Sequence, residues 1–421
     1  MSEHKVINLH SPTCPINVKI NLPSSKSISN RLLMLKALSG IEFPIFNLSK
    51  ASDTLMLENA LQHINCKRND DKRVTIDIAD AGTSMRFLVA FLSITSGKWL
   101  LTGSERMRER VVGPLVNALR MLGAQIEYAA AEGFPPLLIK GARLVGKEVS
   151  IDAHISSQFI SALMLVAPLL PFGLTIRLVG KASSAPYIFM TAKLMEQAEV
   201  KIIQSEDFIH IEHQQYNPGL FTVEPDWSAA AFWFEIAAFA SEPSIGLRGL
   251  NDSGLQGDSQ VADIFTRLGV KTEFKDEGAV LTKSLTPAVD HFLYDFISCP
   301  DLALPVAVTC AGLKIDATLI GLKSLRIKES DRFQALFCEL SALGYEVNEL
   351  SGDILRILPG KNIDLSEKHH IVETYNDHRM AMSFAPLALL HQNIKISNPD
   401  VVKKSYPGYW EDLTEAGFLL K

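Results

Sequence analysis

Several short segments of this chain combine hydroxyls, amides and cations as a phosphate or carboxylate pocket requires. Residues 22–31 read LPSSKSISNR, with Ile28, Leu32 and Leu35 at helical spacing, so a helix should begin near Ser27 behind a hydroxyl-rich cap. Its free N–H groups, with Lys26, Ser27 and Arg31, could hold an anion. The same residues would also suit a capped surface helix. Residues 80–86, DAGTSMR, place Gly82 before a second helix start, where the missing side chain lets a ligand approach the backbone. Residues 105–110, ERMRER, carry three arginines among two glutamates, which also fits a solvated charged face. Ser156, Ser157 and Gln158 precede an apolar helix.

Toward the C-terminus, RIKESDR at 326–332 packs three cations and two acids, and YNDHRMAM at 375–382 sets a polar cluster before another apolar helix. KKSYP at 403–407 falls in a loop. No GxGxxG follows a strand, and neither a P-loop nor an HExxH motif occurs. The recurring device is a helix start beside Lys or Arg, which suits one or two small, multiply charged anions.

The elements that must carry these residues repeat. An amphipathic helix, a turn and an alternating strand recur around positions 65, 123, 199, 269, 344 and 417, separated by 58, 76, 70, 75 and 73 residues. Each turn should be a left-handed helix C-cap, which Gly or Asn tolerates. Six units of about 70 residues are too long for a solenoid and suggest duplicated α/β units grouped into domains. Helices are expected at 27–38, 53–63, 82–94, 157–170, 185–197, 228–239, 258–268 and 330–343. Strands are expected at 5–9, 73–78, 137–139, 174–178, 202–203, 280–282 and 354–357.

Composition narrows the class. The chain has 421 residues, 47% hydrophobic and 21% charged, which excludes low-complexity sequence and leaves room for two or three domains. With 41 Lys+Arg against 47 Asp+Glu, its net charge of −6 speaks against nucleic-acid binding. Five scattered cysteines without a CxxC pair suggest neither a disulfide framework nor a zinc site. The N-terminus lacks a signal-peptide pattern, and the apolar stretches 159–172 and 229–240 are too short to span a bilayer. The reading is a protein of a reducing, cytoplasmic compartment.

The motifs PSSKSISNR, DAGTSMR, ERMRER, SSQF, SAPY, PDLAL, RIKESDR, YNDHRMAM and KKSYP occur in the order found in 5-enolpyruvylshikimate-3-phosphate synthases, and the resemblance spans residues 22–410. It implies an α/β fold of two similar domains, each of three βαβαββ units. Residues 23–224 would form one, residues 1–22 with 225–421 the other, and the active site would occupy the cleft between them. The implied reaction moves the enolpyruvyl group of phosphoenolpyruvate (PEP) to the 5-hydroxyl of shikimate 3-phosphate and releases phosphate. No metal or organic cofactor is implied, and the family precedent is a monomer with small-molecule partners only, neither nucleic acid nor membrane.

Carried over motif by motif, Lys26, Ser27, Arg31, Ser156, Ser157, Gln158, Ser184, Tyr187, Asp301, Ser324 and Lys328 should surround shikimate 3-phosphate. Lys26, Gly82, Arg106, Gln158, Arg332, Arg379 and Lys404 should hold PEP. Asp301 is implied as the base for the 5-hydroxyl and Glu329 as the acid for the PEP methylene, with Lys26 the third catalytic group. The sequence leaves the division of acid and base among the three open. Asp80, Phe87, Val111 and Ser324 depart from the Asn, Pro, Pro and Asn of the commoner pattern. Asp80 should add negative charge beside the PEP pocket, and Phe87 adjoins the helix shaping the pocket for the inhibitor glyphosate. Two alternatives remain: a UDP-N-acetylglucosamine enolpyruvyl transferase of the same fold, and a non-catalytic relative. Lys26-Ser27 where that transferase has Lys-Asn, and the absence of cysteine from 67 to 298, argue against the first. Retention of Asp301 and Glu329 argues against the second.

Overall fold

A computed structural model describes residues 5–67, 72–284, 289–360 and 370–421. The chain divides into two compact units, Ser25–Val223, and Met1–Ser24 together with Glu224–Lys421.

In the second unit three four-stranded sheets share one plan. Asn17–Ile20 pairs parallel with Ser244–Arg248, which pairs antiparallel with Gly278–Lys283, whose other neighbour is Val270–Lys275. His291–Asp295, Asp316–Ile320, Ile354–Ile357 and Val347–Ser351 repeat that order. So do Ile371–Val372, Asn393–Ser397, Val6–His10 and Leu419–Leu420. The chain's first strand therefore sits inside a sheet made otherwise from its last third. Parallel neighbours need a crossover, and a helix supplies it: Trp227–Phe239, Ala303–Gly312 or His378–Phe384.

The Ser25–Val223 unit repeats the plan twice, in Arg73–Asp77 with Lys98–Thr102, Leu137–Lys140 and Gln125–Tyr128, and in Glu148–Asp152 with Leu174–Val179, Phe208–Ile211 and Ile202–Gln204. Its third sheet is reduced to Ile45–Phe46 parallel to Phe221–Thr222. Five of the six expected turns take positive φ: Gly123, Glu199, Gly269, Gly344 and Gly417. The sixth expectation fails. Asn65 lies inside the Ser52–Lys67 helix, and the next strand, Arg73–Asp77, opens the following repeat instead of closing a hairpin.

Most helices match the spacing closely, Gly82–Ile94 and Ala185–Gln197 to the residue. Pro168 turns the end of the helix expected at 157–170 into a 3-10 turn after Val166. The segment expected at 258–268 begins as a 3-10 turn, Gly257–Gln260, before Val261–Thr266. The apolar run 229–240 lies in the Trp227–Phe239 helix, buried at every position but Ser228, and burial raises the Glu235 carboxyl well above its ordinary range. Around it Leu9, Ile20, Trp233, Phe265, Phe292, Phe384, Ile396 and Phe418 form one continuous core. Among the described residues no helix is long and apolar enough to cross a membrane.

This plan has a positional consequence. In each repeat a helix or helical turn follows each of the two parallel strands, at their carboxyl ends, where open α/β sheets bind ligands. Gly82, Ser157, Asp301 and Arg379 lie at the start of helices or turns after a repeat's first strand, and Lys26 starts the helix that leads into Ile45–Phe46. Asp53, Arg106, Ser184, Asp258, Ser324 and Lys404 follow the second.

Candidate active site

In the Ser25–Val223 unit, Lys26 begins the Lys26–Ser39 helix and its Nζ lies 3.2 Å from Asp53 Oδ2 at the start of Ser52–Lys67. Both side chains are largely withdrawn from water, so the pair is electrostatically stronger than a surface bridge. One turn on, Arg31 is buried, and its partners are neutral. Nε donates to Thr191 Oγ1 (2.7 Å), Nη1 to Ser27 O (2.9 Å) and Nη2 to Tyr187 O (3.1 Å). The rings of Phe87 and Tyr187 lie 5.5 and 5.8 Å from its guanidinium carbon, within cation–π range. Burial lowers its pKa to about 10, which leaves it charged near neutrality. A buried cation whose partners among the described residues are neutral oxygens and rings attracts an anion strongly.

Ser156 caps the Ser157–Val166 helix by accepting from Gln158 N (3.3 Å), and Gln158 Nε2 donates to Thr83 Oγ1 (3.2 Å) beside Gly82. The space beside Gly82 is taken by Arg110: a Cβ there would stand 2.5 Å from Arg110 Nη1, so the guanidinium would have to shift. Ser184 occupies a left-handed conformation (φ 55°) just before Ala185–Gln197, which carries Tyr187. Arg106 pairs at 3.0 Å with Glu109 and is about 39% exposed, so its charge is screened by solvent. Asp80 accepts a short hydrogen bond from the Ser104 hydroxyl, which also caps Glu105–Arg108.

In the other unit Asp301, Lys328, Glu329, Arg332 and Arg379 come together. Asp301 Oδ1 is 2.8 Å from Arg332 Nη1 and 3.8 Å from Lys328 Nζ, while Oδ2 accepts from Arg379 Nη2 at 2.8 Å. Burial alone would raise the Asp301 carboxyl, but Arg379, Lys328 and Arg332 outweigh it and hold it well below the usual range. Arg332 is buried against three carboxylates: Asp301, Glu329 Oε2 (2.9 Å) and Asp377 Oδ2 (2.7 Å). Burial disfavours its charge, yet Asp377, Glu329 and Asp301 keep it cationic. Ser324 Oγ, in the Lys323–Ile327 turn, is buried with no hydrogen-bond partner among the described residues. Lys404 ends the Pro399–Lys404 turn.

Three acids absent from the expected set belong here. Asp53 neutralises Lys26, and Asp377 carries Arg332 while capping His378–Phe384. Asp258 lies close enough for Asp301 to act on it electrostatically, with its carboxyl raised to about 6 by burial and Asp301. The signal that could have found them is repeat position. Asp53 and Asp258 start the segments after the second strands, where Arg106, Ser184 and Ser324 stand in other repeats.

Chemically, the first cluster offers a lysine, a buried arginine and hydroxyls for a phosphorylated polyol. The second offers two arginines and a lysine whose counter-charges are carboxylates, so an incoming anion must displace them.

A family model described as EPSP synthase (3-phosphoshikimate 1-carboxyvinyltransferase) matches residues 11–413. The 3-phosphoshikimate 1-carboxyvinyltransferase of Bacteroides fragilis is 45% identical over 414 residues, covering 98% of each chain. That of Vibrio cholerae is 36% identical, covering 95% of this chain and 97% of its own. Among solved structures, EPSP synthase of Acinetobacter baumannii superposes with a TM-score of 0.77 at 20% identity, covering 99% of this chain and 100% of its own, a likeness of fold.

Proposed function

The chain belongs to the EPSP synthase family, and from that premise we propose how its residues divide the chemistry. The protein is a 3-phosphoshikimate 1-carboxyvinyltransferase: it transfers the enolpyruvyl group of PEP to shikimate 3-phosphate and releases phosphate.

In the proposed division, Lys26, Ser27, Arg31, Ser156, Ser157, Gln158, Ser184, Tyr187, Asp301, Ser324 and Lys328 bind shikimate 3-phosphate. Lys26, Gly82, Arg106, Gln158, Arg332, Arg379 and Lys404 bind PEP. Glu329 gives a proton to the PEP methylene carbon, the 5-hydroxyl oxygen attacks the adjacent carbon, and Asp301 takes the hydroxyl proton. The tetrahedral adduct then expels phosphate, which takes the proton held by Asp301, while a methyl proton returns to the Glu329 carboxylate, regenerating the double bond and both groups. Lys26 and the arginines stabilise the departing charge.

The observation carrying this reading is the pinning of Asp301 by Arg332 and Arg379 at 2.8 Å each. A carboxylate so stabilised is a weak base. PEP brings a phosphate and a carboxylate that compete for both arginines, and as their hold on Asp301 loosens its basicity rises. The base is thereby strengthened only when the second substrate has arrived.

The decisive assay is phosphate release, expected only with PEP and shikimate 3-phosphate together. Turnover with UDP-N-acetylglucosamine in place of the latter would overturn the reading. Asp301→Ala should lower turnover by about 10²–10⁴-fold, the usual worth of a general base. Its affinity for PEP should not fall, because the arginines lose a competing carboxylate. Unchanged turnover would remove Asp301 from the mechanism. We further propose a cytoplasmic enzyme acting as a monomer, which sedimentation of the pure protein would check.

A further inference from the structure

Resting on that reading, we propose that Glu339 is a positioning residue that sets PEP affinity by locking the turn that delivers Asp377 and Arg379. The turn runs from Thr374 to Asp377, closed by Asp377 N donating to Thr374 O at 2.8 Å. Its two central residues, Tyr375 (φ 52°) and Asn376 (φ 56°), are both left-handed and neither is glycine. Such a pair is costly for residues with side chains, above all for tyrosine, and persists only where surrounding contacts outweigh it.

The contacts converge on Glu339, a buried carboxyl. Its Oε1 accepts from the Tyr375 hydroxyl at 2.8 Å. Its Oε2 accepts from Glu373 N at 3.2 Å and lies 2.8 Å from His370 Nε2. Two further ties hold the turn from the Asn393–Ser397 side, Asn398 Nδ2 to Asn376 Oδ1 (2.8 Å) and Thr374 N to Ser397 Oγ (3.3 Å).

Glu339 lies seven residues beyond Arg332 on the Arg332–Leu343 helix, two turns along one face. One helix face therefore grips both ends of the segment, Glu339 holding residues 373 and 375 and Arg332 holding Asp377. Released from Glu339, Tyr375 would relax toward negative φ. Asp377 would turn away from Arg332, and Arg379, whose N–H bonds Asp377 Oδ1 at 3.0 Å, would move with it. Among the described residues Glu339 bonds to His370, Glu373 and Tyr375 and to neither Asp301 nor either arginine, so its effect passes through the backbone.

The full-length protein with Glu339→Gln, and separately with Tyr375→Phe, tests this by two readouts. Steady-state kinetics should show KM for PEP raised about tenfold, kcat changed by less than about threefold, and KM for shikimate 3-phosphate nearly constant. Hydrogen exchange at the Asp377 and Arg379 amides should be at least about tenfold faster, a readout independent of any activity. The double variant should be little worse than Glu339→Gln alone, since both substitutions break the same bond. Wild-type KM for PEP in folded variants, an equal rise in both KM values, or unchanged exchange would overturn the proposal. If the wild-type protein releases no phosphate while the variants still accelerate exchange, the enzymatic reading fails and the lock stands.

Discussion

Two carboxyls near the same arginine behave oppositely, and the difference is one of partners. Asp301 is held ionised by Arg379, Lys328 and Arg332, whereas buried Asp258, feeling the Asp301 charge, is raised to about 6 and accepts the Ser228 hydroxyl. Folded Asp258 therefore keeps its proton up to about pH 6, while the unfolded chain releases it near its ordinary value of 3.8. Its contribution to folding is full below that ordinary value and is lost as pH rises through 6. Asp258→Asn, isosteric and uncharged, should stabilise the protein on the order of 2–3 kcal/mol at pH 8. The gain should vanish near pH 4. Thermal melts of both proteins across that range check it, and a pH-independent difference would refute the assignment. Arg31 and Asp301 were legible as candidate site residues because their motifs are short and local. Asp258 was not, since its significance comes from Asp301, 43 residues away in sequence.

The repeat explains at the level of elements why chemistry gathers where it does. Each complete repeat sends two helices or helical turns off the carboxyl ends of its parallel strands, and most of the candidate site residues lie near their starts. The turn from a repeat's second helix into its next strand is structural, and Gly fills it at 123, 269, 344 and 417. Glu199 fills it with φ 62°, held by a bond of 2.7 Å from Asn217 Nδ2. Glu199→Gly relieves a left-handed strain of about 1 kcal/mol and loses only that exposed bond. The melting temperature should rise by about 2 °C with kinetics unchanged, as calorimetry would show. A fall would mean that the Asn217 bond outweighs the strain. Amphipathic spacing made the five complete repeats visible. The sixth was misread because the local pattern around Asn65 is the same in a helix that continues as in one that ends.

The largest scale is set by where the N-terminal strand goes. Val6–His10 lies between Asn393–Ser397 and Leu419–Leu420, with Leu9 fully buried. A cavity there should be felt in residues 224–421 and not in 25–223. Leu9→Ala, costing about 2–5 kcal/mol, should accelerate hydrogen exchange in strand Asn393–Ser397 while leaving Lys98–Thr102 and Leu174–Val179 protected. Equal acceleration in both units would show that they do not hold separate cores. A net charge of −6 is compatible with binding two polyanions because the acids include Asp53, Asp301 and Asp377, paired with Lys26, Arg332 and Arg379, the cations proposed to receive them.

The sequence by itself determined the periodic helix–turn–hairpin units, the hydroxyl and cation-rich helix starts, and the family to which nine ordered motifs belong. All of these are local, written within ten or twenty consecutive residues. Only the tertiary structure decided that Arg332 is surrounded by Asp301, Glu329 and Asp377, that Arg31 is buried with no carboxylate partner among the described residues, and that a strained turn at Tyr375 and Asn376 is tied to Glu339. The reason is physical. Burial, pairing and pKa depend on which distant segments meet, and no spacing along the chain encodes a distance of 2.8 Å between residues 31 or 78 positions apart.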